Sequence, residues 1–190
     1  EKKVDRFIVA TEFTRKQFIR IGLPAHKVDV KPHFVDGAVD VRQKIDGGYA
    51  LYVGRLSGEK GIKVLLDAWA GLQEIPLYIA GSGPLAPYLQ GRIGRGELKH
   101  VQAMGFLDKN RYEQVFNSAS VLIVPSVCYE NFPRVVVEAY ARGIPVVASR
   151  TGSLQEIVHE GETGALFIPS DIEDLRRCVR AVWKNAHYLE

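Results

Sequence analysis

The chain has 190 residues, 46% apolar and 25% charged, with a formal net charge of +3. This length fits one ordinary domain with a fragment of a neighbour, and the composition is that of a soluble globular protein. The mild charge argues little for nucleic acid, and no apolar run approaches the ~18 residues of a membrane-spanning helix. The two cysteines, Cys128 and Cys178, have no metal-like spacing and no second pair beside them, which favours a reducing compartment without a disulfide framework. No secretory or transit segment opens the chain, which begins at Glu1 and reads as cut from something longer.

Residues 7–10 (Phe-Ile-Val-Ala) predict a short buried strand. Thr11 then caps a helix running through Phe13, Gln17, Phe18 and Ile21, and Gly22 ends it. A further strand is expected over 28–31 and a polar surface loop over 35–48. From there a regular alternation begins. Strands are expected over 49–53, 77–80, 101–104, 121–124, 145–148 and 165–168. Helices are expected over 62–72, 84–92, 109–119, 133–142 and 154–159, with Asp108 capping the third of these. Ser170 and Glu173 form a capping box for a last helix to about Trp183. Short apolar strands alternating with helices predict an α/β fold, a parallel sheet covered by helices on both faces. In such sheets ligands bind at the carboxyl ends of the strands, where the Gly-containing turns of this chain fall.

The run from Cys128 to Ala139 sets two carboxylates, Glu130 and Glu138, on either side of a helix start at Pro133. Proline suits a first helical turn, whose N–H groups are unpaired and attract phosphate. Glu138 follows three valines in an otherwise apolar helix and needs a polar partner, for which ribose hydroxyls are suited. Two acidic groups flanking a diphosphate seat match a sugar, a diphosphate and a ribose in line. A helix-start glutamate also complements the helix dipole, which accounts for one of the pair but not for Glu138.

Gly54-Arg55 follows one strand and Glu59-Lys60-Gly61 precedes the next helix. A guanidinium fork and an ammonium together suit a departing diphosphate, although two solvated charges in a loop are an equal reading. Gly81-Ser82-Gly83-Pro84 opens a helix after a strand, a weak signal by itself. It lacks the third glycine of a dinucleotide fingerprint, since Ala86 stands there, and no nucleoside-triphosphatase loop occurs. Gly105-Phe106-Leu107 ends another strand. Phe106 reads as a residue closing the core, or as a stacking surface for a base, and Leu107 as the backbone contact to a base edge. The five histidines show no ligand spacing and read as surface residues; Trp69 and Trp183 read as core.

These motifs, with Gly152-Ser153-x-Gln155-Glu156 and Gly161-x-x-Gly164, resemble as an ordered set the retaining group-1 glycosyltransferases of the GT-B fold. The resemblance covers about Val28 to Trp183 and implies the C-terminal, donor-binding half of that fold. It implies a Rossmann-like domain over 28–190, preceded over 1–27 by a remnant of the acceptor domain and linker. By resemblance, Arg55 and Lys60 hold the donor diphosphate and, with Glu130 on the transferred sugar, form the catalytic set. Glu138 takes the ribose hydroxyls, Asn131 and Phe132 offer backbone N–H groups, and Gly54, Gly81, Phe106 and Leu107 line the nucleoside pocket. No cofactor and no metal are implied. The donor is a UDP- or GDP-sugar, and the acceptor is a glycan or lipid-linked sugar held by the missing domain. A cytoplasmic enzyme of polysaccharide synthesis is expected, with peripheral contact at the inner face of the membrane open to the full-length protein. Ser153 stands where the family often has glycine, which puts any donor contact of that loop in question, and His33 where it often has asparagine. Two alternatives remain at this point: a nucleotide-sugar binding module without activity, and a sugar-nucleotide epimerase of the same architecture. A glycosidase is disfavoured because Glu138 lies within a helix, away from the sugar carbon.

Overall fold

A computed structural model describes residues 3–35 and 48–186. The elements run β1 (Phe7–Val9), α1 (Glu12–Arg20), β2 (Val28–Val30), β3 (Tyr49–Val53), α2 (Ile62–Trp69), β4 (Leu77–Ala80) and α3 (Ala86–Gly94). They continue with β5 (Val101–Gly105), α4 (Lys109–Ser118), β6 (Ala119–Val124), α5 (Arg134–Tyr140), β7 (Val146–Ser149), α6 (Leu154–Ile157), β8 (Gly164–Phe167) and α7 (Ile172–Ala186).

β3 to β8 form one parallel sheet in the order β5-β4-β3-β6-β7-β8. Side chains alternate across it, as the two-residue repeat of a strand requires. Ala50, Tyr52, Val121, Ile123 and Phe167 pack on one face with Leu65, Leu66 and Trp69 of α2 and Leu175 and Val179 of α7. Leu51, Leu122, Val124, Val146 and Leu166 pack on the other with Phe116 of α4, Val136 and Ala139 of α5 and Leu154 of α6. The near-continuous apolar strands thus bury both faces, and the expected Rossmann-like architecture is present. Trp69 is wholly buried, with its indole N–H donating to the Ile75 carbonyl at 3.0 Å.

β1 and β2 form a separate parallel pair, linked by α1. The strand at residues 28–30 therefore sits with the segment before it and not in the large sheet. Thr11 caps α1 by accepting from the Thr14 N–H, and Gly22 closes it with φ of +107°, as expected. β1 is less buried than its composition predicts, with Ile8 68% exposed. Most of the expected surface loop over 35–48 lies outside the described residues.

Three helix starts differ from expectation. The α3 helix begins at Ala86, two residues after Pro84, because Ser82 and Leu85 are hydrogen-bonded to Leu56 in the preceding loop. Pro133 is the cap of α5 (φ −70°, ψ 112°) and not a first-turn residue. The cap of α7 is Asp171, whose carboxylate accepts from the Asp174 N–H at 2.9 Å; Ser170 instead takes φ of +67° in the turn before it.

Candidate functional site

The chain order of the strands reverses between β3 and β6, and open α/β sheets bind ligands at such a switch point, outside the carboxyl ends of the strands. Two adjoining hollows lie there. The larger, about 420 Å³, is lined by Gly54, Arg55, Gly81, Phe106, Leu107 and Tyr112, among others. The smaller, about 230 Å³, is lined by Arg55, Lys60, Ser126, Glu130 and Arg134, among others. They share the wall Val53-Gly54-Arg55.

Glycines build this wall. A Cβ on Gly81 would fall 1.9 Å from the Gly54 carbonyl oxygen, and one on Gly83 would fall 2.5 Å from that of Leu56. Leu56 N–H donates to the Ser82 carbonyl at 2.8 Å, sealing the loop after β3 onto the loop after β4. The close approach these glycines permit is thus to the protein's own backbone. Phe106 projects from the end of β5 and is 85% exposed, which corrects its reading as a core residue; Leu107 is the buried neighbour.

Lys60 and Glu130 meet although 70 positions separate them. Gly61 starts α2 in the left-handed conformation, φ +73°, where a Cβ would lie 1.8 Å from the Pro125 carbonyl oxygen. That contact, with Val127 N–H donating to the Glu59 carbonyl at 2.9 Å, brings the turn before α2 against the loop after β6. Lys60 Nζ donates to Glu130 Oε1 at 2.6 Å, and Ser126 Oγ donates to the same oxygen at 2.5 Å. Ser153 Oγ donates to the Glu130 carbonyl at 2.6 Å, so the residue that departs from the family pattern supports the loop carrying Glu130. Below them, the Tyr52 phenol donates to the Arg55 carbonyl at 2.8 Å. Burial, reinforced by the charge of Glu130, pushes the Tyr52 phenol well above the ordinary tyrosine range and keeps it protonated.

The remaining expected residues are distributed around this centre. Glu138, on the second turn of α5, lines neither hollow. Its carboxylate accepts from the Tyr112 phenol and lies 3.9 Å from the Arg134 guanidinium. Asn131 faces α1: its Oδ1 accepts from Thr14 Oγ1 at 3.0 Å, beside an edge-on contact of Phe13 with Tyr129 at 5.0 Å. Phe132 meets the His33 ring edge-on at 5.4 Å. The Glu156 carboxylate accepts from the N–H groups of Glu12 and Phe13, each at 2.9 Å, and so caps α1 from the larger unit. Sequence reasoning missed Tyr112, Ser126 and the destination of Glu156. Tyr112 shares a helical face with Val115 and Phe116, a pattern that reads as ordinary core.

The fold first defines a class. The chain superimposes on solved structures of GT-B glycosyltransferases. It covers 95% of its own length and 54% of the Anabaena Alr3699/HepE chain in complex with UDP, with a TM-score of 0.83 at 23% identity. It covers 95% of its length and 53% of the lipopolysaccharide outer core galactosyltransferase WaaB, with a TM-score of 0.76 at 24% identity. Residues 41–190 match the family of group 1 glycosyl transferases, and the chain belongs to that family. It is 36% identical over 129 residues to the uncharacterized glycosyltransferase MJ1607 of Methanocaldococcus jannaschii, covering 66% of this chain and 33% of that protein. It is 33% identical over 144 residues to the phosphatidyl-myo-inositol mannosyltransferase of Mycobacterium leprae, covering 73% and 38%. The chain thus spans between a third and two-fifths of the length of these relatives. Among the described residues, no helix is long and apolar enough to cross a membrane.

Proposed function

We propose that this chain is the donor-binding part of a glycosyltransferase that takes a nucleoside diphosphate sugar and transfers the sugar with retention of configuration. The observation that carries this reading is the pair of hollows joined at Arg55, one apolar and the other holding Lys60 and Glu130. The nucleoside occupies the larger hollow, against Gly54, Gly81, Phe106 and the backbone of Leu107. The diphosphate crosses the shared wall at Arg55 into the smaller hollow, where Lys60 is its second cation. The sugar lies over Glu130, whose carboxylate accepts from its hydroxyls, with backbone groups at Asn131 and Phe132 alongside, and Glu138 serves the ribose end.

In the reaction, the bond between the anomeric carbon and the diphosphate oxygen breaks, a bond to the acceptor hydroxyl oxygen forms, and the proton of that hydroxyl passes to the departing diphosphate. Negative charge grows on the leaving diphosphate, and fixed cations stabilise that charge more in the transition state than in the ground state. Lys60 is held by Glu130 before substrate arrives, so the ammonium is already aimed at the crevice. The neighbours solved with UDP and with UDP-glucose support a nucleoside diphosphate sugar, UDP- or GDP-linked, as the donor.

The acceptor, a glycan or lipid-linked sugar, is proposed to be held by a separate domain; β1, α1 and β2 belong to that side, so the division expected after residue 27 moves beyond β2, which pairs with β1 and not with the large sheet. The detached β1–β2 pair and the share of the relatives' length that this chain spans support the division. Calorimetry with a nucleoside diphosphate and with the intact sugar donor tests the assignment. Glu138→Ala should weaken both ligands alike, and Glu130→Ala should weaken the sugar-bearing one more than the bare diphosphate, which it reaches only through Lys60. Equal losses in both variants for both ligands would refute it.

A further inference from the structure

Glu138 lines neither hollow, but it is hydrogen-bonded to Tyr112, which lines the larger one. The Tyr112 phenol is part of the hollow's lining, and its hydroxyl donates to Glu138 Oε2. We infer that Tyr112 and Glu138 act as one unit for recognising ribose, with Tyr112 the positioning residue that orients the carboxylate and sets the preference for ribo- over 2′-deoxyribonucleotides. The inference rests on the proposed function, because it takes the nucleoside to lie in that hollow.

The pairing is rigidly built. Arg142, whose side chain is 4% exposed, donates to Asn117 Oδ1 at 3.0 Å and to the Glu138 carbonyl at 2.8 Å, and it pairs with Glu113. Asn117 and Glu113 lie on α4 with Tyr112, so this guanidinium locks α4 against α5. The Tyr112 ring also packs on Phe116, with centroids 4.9 Å apart. Burial, then the hydrogen bond to Glu138, raises the phenol far above the ordinary tyrosine range, so it remains a donor to the carboxylate at any physiological pH. With its proton committed to Glu138, the phenolic oxygen has lone pairs left to accept from a ribose hydroxyl. The second carboxylate oxygen of Glu138 lies 3.9 Å from the Arg134 guanidinium, beyond hydrogen-bond length, and has lone pairs to accept another.

Tyr112→Phe removes only the hydroxyl and keeps the ring against Phe116, so the fold is retained. The test is calorimetry on the whole chain with UDP and 2′-deoxy-UDP, repeated with the guanosine and adenosine pairs. In the parent chain the ribo form should bind about tenfold more tightly, the scale of a hydrogen bond to a charged group. Tyr112→Phe should weaken the ribo form about 3–10-fold and leave the deoxy form within about twofold, so that the ratio collapses. Glu138→Ala should collapse it further. If Glu138→Ala loses the preference and Tyr112→Phe keeps it, the inference fails while the proposed function stands. An equal loss for ribo and deoxy forms in Tyr112→Phe would also overturn it, since the phenol would then only shape the hollow. If Glu138→Ala keeps the preference, the inference fails together with the assignment of Glu138 to the ribose; if no nucleoside diphosphate binds, the proposed function fails and takes the inference with it.

Discussion

Lys60 Nζ and Glu130 Oε1 stand 2.6 Å apart, joining the turn before α2 to the loop after β6 across the point where the sheet reverses its strand order. Both side chains are largely withdrawn from solvent, 31% and 13% exposed. The pair is too shielded to be a surface ion pair of little consequence, and Ser126 gives Glu130 a second donor on the same oxygen.

Lys60→Ala should therefore weaken nucleoside diphosphate binding by about 10–100-fold, the worth of a charge-assisted hydrogen bond to phosphate. The fold should survive with a loss of about 1–2 kcal/mol, because Ser126 still serves Glu130. Titration calorimetry and urea unfolding measured on the same variant separate the two effects. Unchanged affinity in a stably folded variant would remove Lys60 from the site.

Gly61 and Gly22 both have positive φ, but their surroundings differ. A Cβ at Gly61 meets the Pro125 carbonyl, whereas one at Gly22 meets nothing within 4 Å. Gly22→Ala should cost about 1 kcal/mol from backbone conformation alone. Gly61→Ala adds a backbone clash and should cost more than about 2 kcal/mol, while displacing Lys60 from Glu130. Similar unfolding midpoints for the two variants would contradict this account of the turn.

Much of this architecture was legible in residue order. Residues 49–53, 77–80 and 121–124 are short apolar runs between turn residues, and all three became strands. Thr11, Gly22 and Asp108 acted at the helix ends as their chemistry suggests. The cap of α7 was ambiguous because Ser170-x-x-Glu173 and Asp171-x-x-Asp174 satisfy the same pattern one residue apart. The left-handed backbone at Ser170 and the Asp174 N–H bonded to Asp171 decide between them. The candidate site was legible where one loop carries it and illegible where two distant elements share it. Arg55, Lys60 and Glu130 stood out as charges in turns at strand ends. The partners of Glu138 and Glu156 lie 26 and about 144 positions away, with no local pattern to announce them.

Glu156 supplies a test of that long-range contact. Its two oxygens satisfy two N–H groups at the start of α1, which no residue of the helix itself can do. Glu156→Ala should loosen α1 by about 1–2 kcal/mol. Hydrogen exchange should quicken at the amides of residues 12–16 and stay unchanged in β3 and β6. Uniform quickening throughout would mean that Glu156 supports the whole domain instead.

Acid should weaken the anchoring of α7. The Asp174 carboxylate accepts from the Ile168 N–H at 2.8 Å and pairs with Arg177, and these hold its pKa below the usual aspartate value, the backbone bond most of all. A carboxyl depressed by folding contributes stability above its unfolded pKa, and that contribution fades as pH falls through the folded value. Asp174→Asn should thus be less stable than the parent by about 1 kcal/mol at neutral pH. The difference should shrink as pH falls below the ordinary aspartate range. A gap that stays constant down to strong acid would assign the effect to packing.

The most direct measurement is a crystal structure of the chain with the sugar nucleotide that most raises its melting temperature in a screen of UDP, GDP and ADP sugars. The diphosphate should lie between Arg55 and Lys60, with the sugar over Glu130 and the ribose turned to Tyr112 and Glu138. A nucleotide bound elsewhere, or one reversed so that its base meets Glu130, would contradict the account.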